Sequence, residues 1–187
     1  MTFLSFFYPR LVVELGMGDG RLLETLAKRD RNSIYIGIEL DDEQFGQAQS
    51  RITLPNVIIM NSSFEDIVPT FLDESIDQFI AVLPDPAFVD EKREEHWKPF
   101  FKSVHSKLKK EGKLRLVTEL TDELLQPVSD DQFSAWADWL KSCFLSLGFT
   151  LAAQQEGAPR QYISRCIEQF RGDSERIRMI TLDLLKL

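Results

Sequence analysis

Apolar residues recur along this chain in two rhythms, short continuous runs and longer stripes spaced three and four apart. That alternation predicts strands separated by helices. Leu11 to Leu15 is the first run, and a glycine-rich turn closes it. Arg21 to Arg31 follows, with Leu22, Leu23 and Leu26 on one helical face. Ile34 to Glu39 is a β-branched second run. Asp41 and Asp42 then open a helix striped by Phe45, Ala48 and Ile52, where acids in the first turn suit the helix dipole. Val57 to Met60 and Ile76 to Leu83 are the next two strands, the latter ended by Pro84. An amphipathic helix with Trp97, Phe100, Phe101, Val104 and Leu108 is closed by Gly112, and Leu114 to Thr118 forms a fifth strand. A further helix carries Phe133, Trp136, Ala137, Leu140, Phe144 and Leu147 and stops at Gly148. Phe149 to Ala153 and Ile177 to Leu185 are two final strands, joined without a long helical crossover and therefore suited to antiparallel pairing at one edge.

The expected fold is α/β: a doubly wound, mostly parallel seven-stranded sheet with helices on both faces and the last strand antiparallel. No repeat, low-complexity tract or linker divides the chain, so residues 1–187 read as a single domain. Its first strand starts at about Leu11, with 1–9 as a terminal segment. Met1 to Tyr8 is apolar but has neither a basic lead-in nor a small-residue cleavage site, which argues against a signal peptide.

Composition narrows the class. At 43% hydrophobic and 28% charged, the chain has the profile of a folded globular protein, and no apolar stretch approaches a membrane span. Cys143 and Cys166 are isolated and lack metal-ligand spacing, so the expectation is free core thiols in a reducing cytoplasm and no metal. A formal net charge of −8 opposes a broad nucleic-acid footprint. The charge is uneven, however. Phe88 to Arg115 holds nine Lys or Arg against five acids, and Gly157 to Arg178 holds five Arg against three acids. A local basic patch and a solvated mixed-charge face are both open readings. His96 and His105 have no ligand-spaced partners and read as surface or packing residues, and Trp97, Trp136 and Trp139 fall in packing stripes.

The chemistry concentrates in the first loop. Glu14-Leu15-Gly16-Met17-Gly18-Asp19-Gly20 follows the first strand, where open α/β sheets bind nucleotides. Gly16, Gly18 and Gly20 let backbone press against a ligand without Cβ interference. Glu14 suits a ligand ammonium and would repel a pyrophosphate. Glu39, nineteen residues after Gly20, ends the second strand, where an acid accepts ribose hydroxyls. A nucleoside with a cationic, amino-acid-like tail fits this pair, which describes S-adenosyl-L-methionine better than NAD or ATP.

These residues resemble the class I S-adenosylmethionine-dependent methyltransferases, a Rossmann-like group. Ile34 to Glu39, Pro55-Asn56-Val57, Ser75-Ile76-Asp77 and Leu83-Pro84-Asp85-Pro86 narrow the likeness to the tRNA (guanine-N7) methyltransferase family, over about Leu11 to Thr118. The resemblance implies that Glu14 and Glu39 hold the methionine end and ribose of the cofactor. It puts Ser63 at the adenine amino group, Phe64 over the adenine, and Asp85 facing both the methyl group and an incoming guanine. It implies acceptor contacts at Glu119, Ser164 and Glu168, and tRNA or another RNA as partner. The chain departs from the family where RNA is bound. Val89 replaces a substrate-contacting lysine, acids interrupt the basic run, and a Thr-Asp pair becomes Thr118-Glu119. Those departures leave two alternatives to an RNA base methyltransferase. One is a small-molecule methyltransferase; the other is a non-catalytic, cofactor-binding subunit whose basic protein partner supplies the nucleic-acid surface.

Overall fold

The computed structural model describes residues 9–122, 124 and 126–187. The strands β1 (Leu11–Leu15), β2 (Ile34–Glu39), β3 (Val57–Asn61), β4 (Ile76–Val82), β5 (Leu108–Thr121), β6 (Phe149–Glu156) and β7 (Ile177–Lys186) form one seven-stranded sheet. Its order is β3-β2-β1-β4-β5-β7-β6. β3, β2, β1, β4 and β5 run parallel, while β7 is antiparallel to both β5 and β6. The helices are α1 (Arg21–Arg29), α2 (Asp42–Arg51), α3 (Phe64–Ile67), α4 (Glu94–Lys107), α5 (Asp130–Ser146) and α6 (Arg165–Arg171). This is the doubly wound sheet that the alternating rhythm predicts.

Side-chain alternation along each strand divides the core in two. Val13 and Leu15 of β1, Phe79 and Ala81 of β4, and Leu114 and Leu116 of β5 face one layer, where they meet Trp97 and Phe101 of α4 and Phe144 of α5. Val12, Ile80 and Val117 point the opposite way, onto Leu22 and Leu23 of α1, Ala48 of α2 and Ile167 of α6. Helix starts follow local chemistry. Asp41 caps α2 by accepting from Gln44 N at 2.8 Å, and Ser129 and Gln132 form a reciprocal capping box on α5.

The structure departs from the sequence expectations in four places. α1 stops at Arg29, because Asp30 turns to extended backbone and its carboxylate accepts from Ser33 Oγ at 2.6 Å. Gly112 does not close a helix: α4 ends at Lys107 and β5 begins at Leu108. Leu108 continues the helical stripe in phase, yet it is fully buried in strand pairing with Ile76. Beyond it Glu111 turns to φ 64, a Cβ on Gly112 would lie 2.8 Å from the Lys109 carbonyl, and the β4–β5 register shifts between Ile76 and Gln78. The glycine therefore serves an irregularity within a strand. The stretch between β6 and β7 also contains α6, which periodicity did not show. Finally, Cys143 is buried but Cys166 is exposed, so only one of the two free thiols belongs to the core.

Trp97 is fully buried, whereas Trp136 and Trp139 lie at the core's margin. His105 packs edge-on against Phe149, and its Nε2 lies 3.2 Å from the Gly148 carbonyl; burial lowers its pKa. His96 is exposed beside Glu95.

Candidate active site

Parallel strands converge their carboxyl ends on one edge of the sheet, and the first of these ends is the glycine loop. Gly16, Gly18 and Gly20 take φ values of 70°, 57° and 75°. This left-handed region costs an L side chain about 1–2 kcal/mol. At Gly20 the space is closed as well, since a Cβ would sit 2.7 Å from Ile52 Cδ1 and 3.1 Å from Ala48 Cβ. The loop is pinned from β2: Gly16 N and Met17 N both donate to the Ile38 carbonyl, at 2.9 and 3.0 Å. Gly18 N donates to Glu39 Oε2 at 2.8 Å.

Glu39 is thereby fixed at both oxygens, because its Oε1 accepts from Asp41 N at 2.8 Å. A carboxylate offers about four acceptor positions. The two that remain match the paired hydroxyls of a ribose. Glu14 is different: it is 2% exposed, and its Oε2 has no hydrogen-bond partner among the described residues. Burial, then the negative charges of Asp19 and Glu39, raise its pKa well above the ordinary carboxylate range. A buried acid without a partner costs stability, on the order of 1–3 kcal/mol. An α-ammonium group would satisfy it. The donor set thus fits a nucleoside with an amino-acid tail.

Asp85 follows β4, the strand beside β1. Leu83 holds φ 50° just ahead of Pro84, anchored by its N–H to the Val117 carbonyl at 2.7 Å. Such backbone strain persists only where the surroundings enforce it. Asp85 is exposed, with Oδ1 accepting from Ala87 N at 2.8 Å and Oδ2 without a partner among the described residues. Ser63 lies near Glu39, since Ser62 N donates to the Glu39 carbonyl at 3.0 Å. Its Oγ is engaged as the cap of α3, accepting from Glu65 N at 3.1 Å. Phe64 packs against Phe88 and Phe100, with ring centroids 4.9 and 5.1 Å apart.

At the end of β5, Thr118 Oγ1 and Glu119 Oε2 are further buried atoms without partners among the described residues. Burial raises the Glu119 pKa to about 7. Ser164 and Glu168 belong to a different element, Ser164 as the N-cap of α6 and Glu168 in its first turn. Ser164 Oγ accepts from Ile167 N at 3.2 Å, and Glu168 is exposed. Glu14, the three loop glycines, Glu39, Ser63, Asp85 and Glu119 thus share the carboxyl edge, and Ser164 and Glu168 do not sit on a strand end.

Two further side chains were not legible in the sequence. Asp19 supplies the foremost charge acting on Glu14. Tyr162, fully buried ahead of α6, is within electrostatic reach of Glu14 and receives Arg115 Nη1 at 3.4 Å. Asp19 at least lies inside the glycine motif, whereas nothing local marks Tyr162.

At least five of the nine cations in the basic segment meet an acid. Lys98 pairs with Glu94, Lys107 with Asp73 and Lys109 with Asp77, while Lys113 and Arg115 both meet Asp183. Three of the five downstream arginines are similarly occupied, while Arg160 and Arg165 are exposed. Arg171 donates to the carbonyls of Ala158, Pro159 and Tyr162, Arg176 pairs with Asp173, and Arg178 pairs with Asp130 and Glu156. Val89, where the resemblance expects a substrate lysine, is a buried core residue. Past β5 a groove of about 600 Å³ is lined by Leu120, Val128, Trp136 and Trp139, with Glu91 and Asp122 as its acids. Among the described residues, no group of three or more His, Cys, Asp or Glu is placed to hold a metal, and no helix is long and apolar enough to cross a membrane.

Known proteins resemble this chain in sequence and in fold. Residues 9–134 match a family model described as "Putative methyltransferase". A tRNA (guanine-N(7)-)-methyltransferase of Campylobacter fetus is 29% identical over 143 residues, covering 75% of this chain and 33% of that protein. Another, of Brevibacillus brevis, is 29% identical over 128 residues, covering 66% of this chain and 59% of that one. The chain therefore spans between about a third and three-fifths of the length of these two relatives. Among solved structures, the 16S rRNA methyltransferase KamB superposes with a TM-score of 0.73 at 12% identity, covering 96% of this chain and 88% of that one, a likeness of fold.

Proposed function

Because the chain belongs to the methyltransferase family whose model covers residues 9–134, we propose that it transfers a methyl group from S-adenosyl-L-methionine to an RNA base nitrogen, of the tRNA guanine-N7 type. In this reading residues 1–187 act as one catalytic domain, working in the cytoplasm. The observation that carries it is Glu14: a buried carboxylate at the end of β1 whose Oε2 has no hydrogen-bond partner among the described residues, beside a glycine loop locked to Glu39. The tRNA (guanine-N(7)-)-methyltransferase relatives supply the acceptor class.

Glu14 receives the cofactor's ammonium, and Glu39 its ribose hydroxyls. The loop at Gly16, Gly18 and Gly20 gives backbone-close approach. Ser63 Oγ caps α3 through one lone pair and offers the other to the adenine amino group, and Phe64 flanks the ring. The cofactor supplies a methyl group already activated by a sulfonium. An attacking ring nitrogen needs no proton removed, so the protein's work is alignment and charge stabilisation. Asp85 faces the acceptor with Oδ2, which has no partner among the described residues. Glu119 accepts from the guanine edge when ionised, and Ser164 and Glu168 are the outer acceptor contacts.

Labelled cofactor, purified chain and total tRNA, followed by nucleoside mass spectrometry, test this directly. The expected product is 7-methylguanosine, lost in Asp85→Ala. Failure of folded protein to bind S-adenosylhomocysteine would sink the cofactor assignment. Binding without any tRNA methylation would remove the acceptor assignment and leave a small-molecule acceptor or the second reading. In that second reading a basic protein partner supplies the RNA surface. The paired cations and the buried Val89 favour it, because phosphate contacts dominate RNA affinity.

A further inference from the structure

Arg51 ends α2, and its side chain leaves the helix for the glycine loop. Its Nη1 donates to the Asp19 carbonyl at 2.9 Å and lies 3.1 Å from Asp19 Oδ2. That carboxylate also meets Arg21 Nε at 2.9 Å. A guanidinium suits this double task, since its planar fork offers several donors in fixed geometry where an ammonium is a point charge. The end of α2 is pressed on the loop, as the contacts of Ile52 and Ala48 at Gly20 show. Asp19 in turn opposes ionisation of Glu14 more than any other charged group. The other groups facing Glu14 are Glu39 at the end of β2 and Tyr162 ahead of α6.

We infer that Arg51 is a positioning residue for the cofactor site: it clamps the loop through the Asp19 carbonyl and offsets the Asp19 charge that acts on Glu14. The inference rests on the cofactor reading above and goes beyond it, because that reading gives Arg51 no part and its contacts run to Asp19. Its two actions separate. The clamp keeps Gly16 to Gly20 in their left-handed turns. The charge lets Glu14 ionise at a pH where an α-ammonium needs it.

The test is calorimetric titration of S-adenosylhomocysteine into the full chain between pH 5.5 and 8.5, with hydrogen exchange of the Gly16 to Gly20 amides measured without ligand. Wild-type affinity rises with pH as Glu14 ionises and then levels. Arg51→Met leaves Asp19 less compensated, so the rise moves up by roughly 0.5 pH unit and plateau affinity falls several-fold. Asp19→Asn moves the rise down by a similar amount. Arg51→Lys restores the midpoint while the loop amides still exchange faster than in wild type. General destabilisation would not shift Arg51→Met and Asp19→Asn in opposite directions, so an unchanged midpoint or a shared direction overturns the charge role. Should wild type bind no S-adenosylhomocysteine, the cofactor reading fails by itself. Loop exchange still decides the clamp, and wild-type protection in Arg51→Met would overturn it.

Discussion

Replacing Glu14 by glutamine should make the ligand-free protein more stable at neutral pH while destroying its affinity for S-adenosylhomocysteine. Glu14 is 2% exposed, has a buried oxygen without a partner among the described residues, and faces the charges of Asp19 and Glu39. Its folded pKa is raised, whereas the unfolded chain titrates near 4.3. Between those values the folded state binds the extra proton, so the contribution of this group to stability falls as pH rises and then levels off above the folded pKa. Glutamine keeps the shape and removes the charge. The gain should be about 2 kcal/mol, which for a chain of this length is about 4–8 °C in melting temperature. Below about pH 4.5 the protonated carboxyl of Glu14 and the amide that replaces it are nearly equivalent, and the difference should vanish. Thermal unfolding of both proteins from pH 4 to 8, beside calorimetric titration of the ligand, reads both halves. A gain that is independent of pH, or a loss of stability at pH 8, would refute the argument that Glu14 is held ionisable at the expense of the fold.

Other substitutions probe other parts of the structure. Val89→Lys restores the family residue but puts an ammonium into the core layer of α4, so it should cost about 2–4 kcal/mol in urea unfolding and leave tRNA retention on native gels unimproved. Gly20→Ala combines a left-handed φ with the Ile52 and Ala48 contacts and should lose about 1–3 kcal/mol in the same assay, with weaker S-adenosylhomocysteine binding. Because Glu119 titrates at about 7, kcat/KM for the acceptor should rise through that pH, and Glu119→Gln should flatten the profile. Asp183→Ala removes the bidentate partner of half-buried Arg115 and should lower stability by about 2 kcal/mol without changing ligand affinity.

Much of this was legible where one local signal sufficed. Ile34–Glu39 and Leu11–Leu15 are runs whose boundaries coincide with the observed strands, because glycine, serine or charge breaks each run where pairing ends. The glycine loop, Glu14 and Glu39 were visible because their chemistry is set by short-range sequence. Leu108 was misread because a helical stripe and a strand can share phase for one residue, and only the pairing with Ile76 decides. α6 is short and polar on most of its surface, with Ile167 its one fully buried residue, so its periodicity carries no signal. Val89 resembled a lost functional site until burial made it a packing position. The occupation of the basic residues was also out of reach, since Lys107, Lys109 and Arg115 find acids 34, 32 and 68 residues away in sequence.

The place of β7 has a consequence for the order of events during synthesis. Among the described residues β6 pairs with the sheet through β7 alone, which lies between it and β5. A nascent chain can zip β1 through β5 together as each βα unit emerges. β6 is then made without a neighbour to pair with, and it waits for the twenty residues that separate it from Ile177. The half of the sheet bearing the glycine loop and Glu39 can therefore close vectorially. The β7–β6 part, which brings Asp183 to Arg115 of β5, joins in a single later event, with an exposed strand edge open to other chains in the interval.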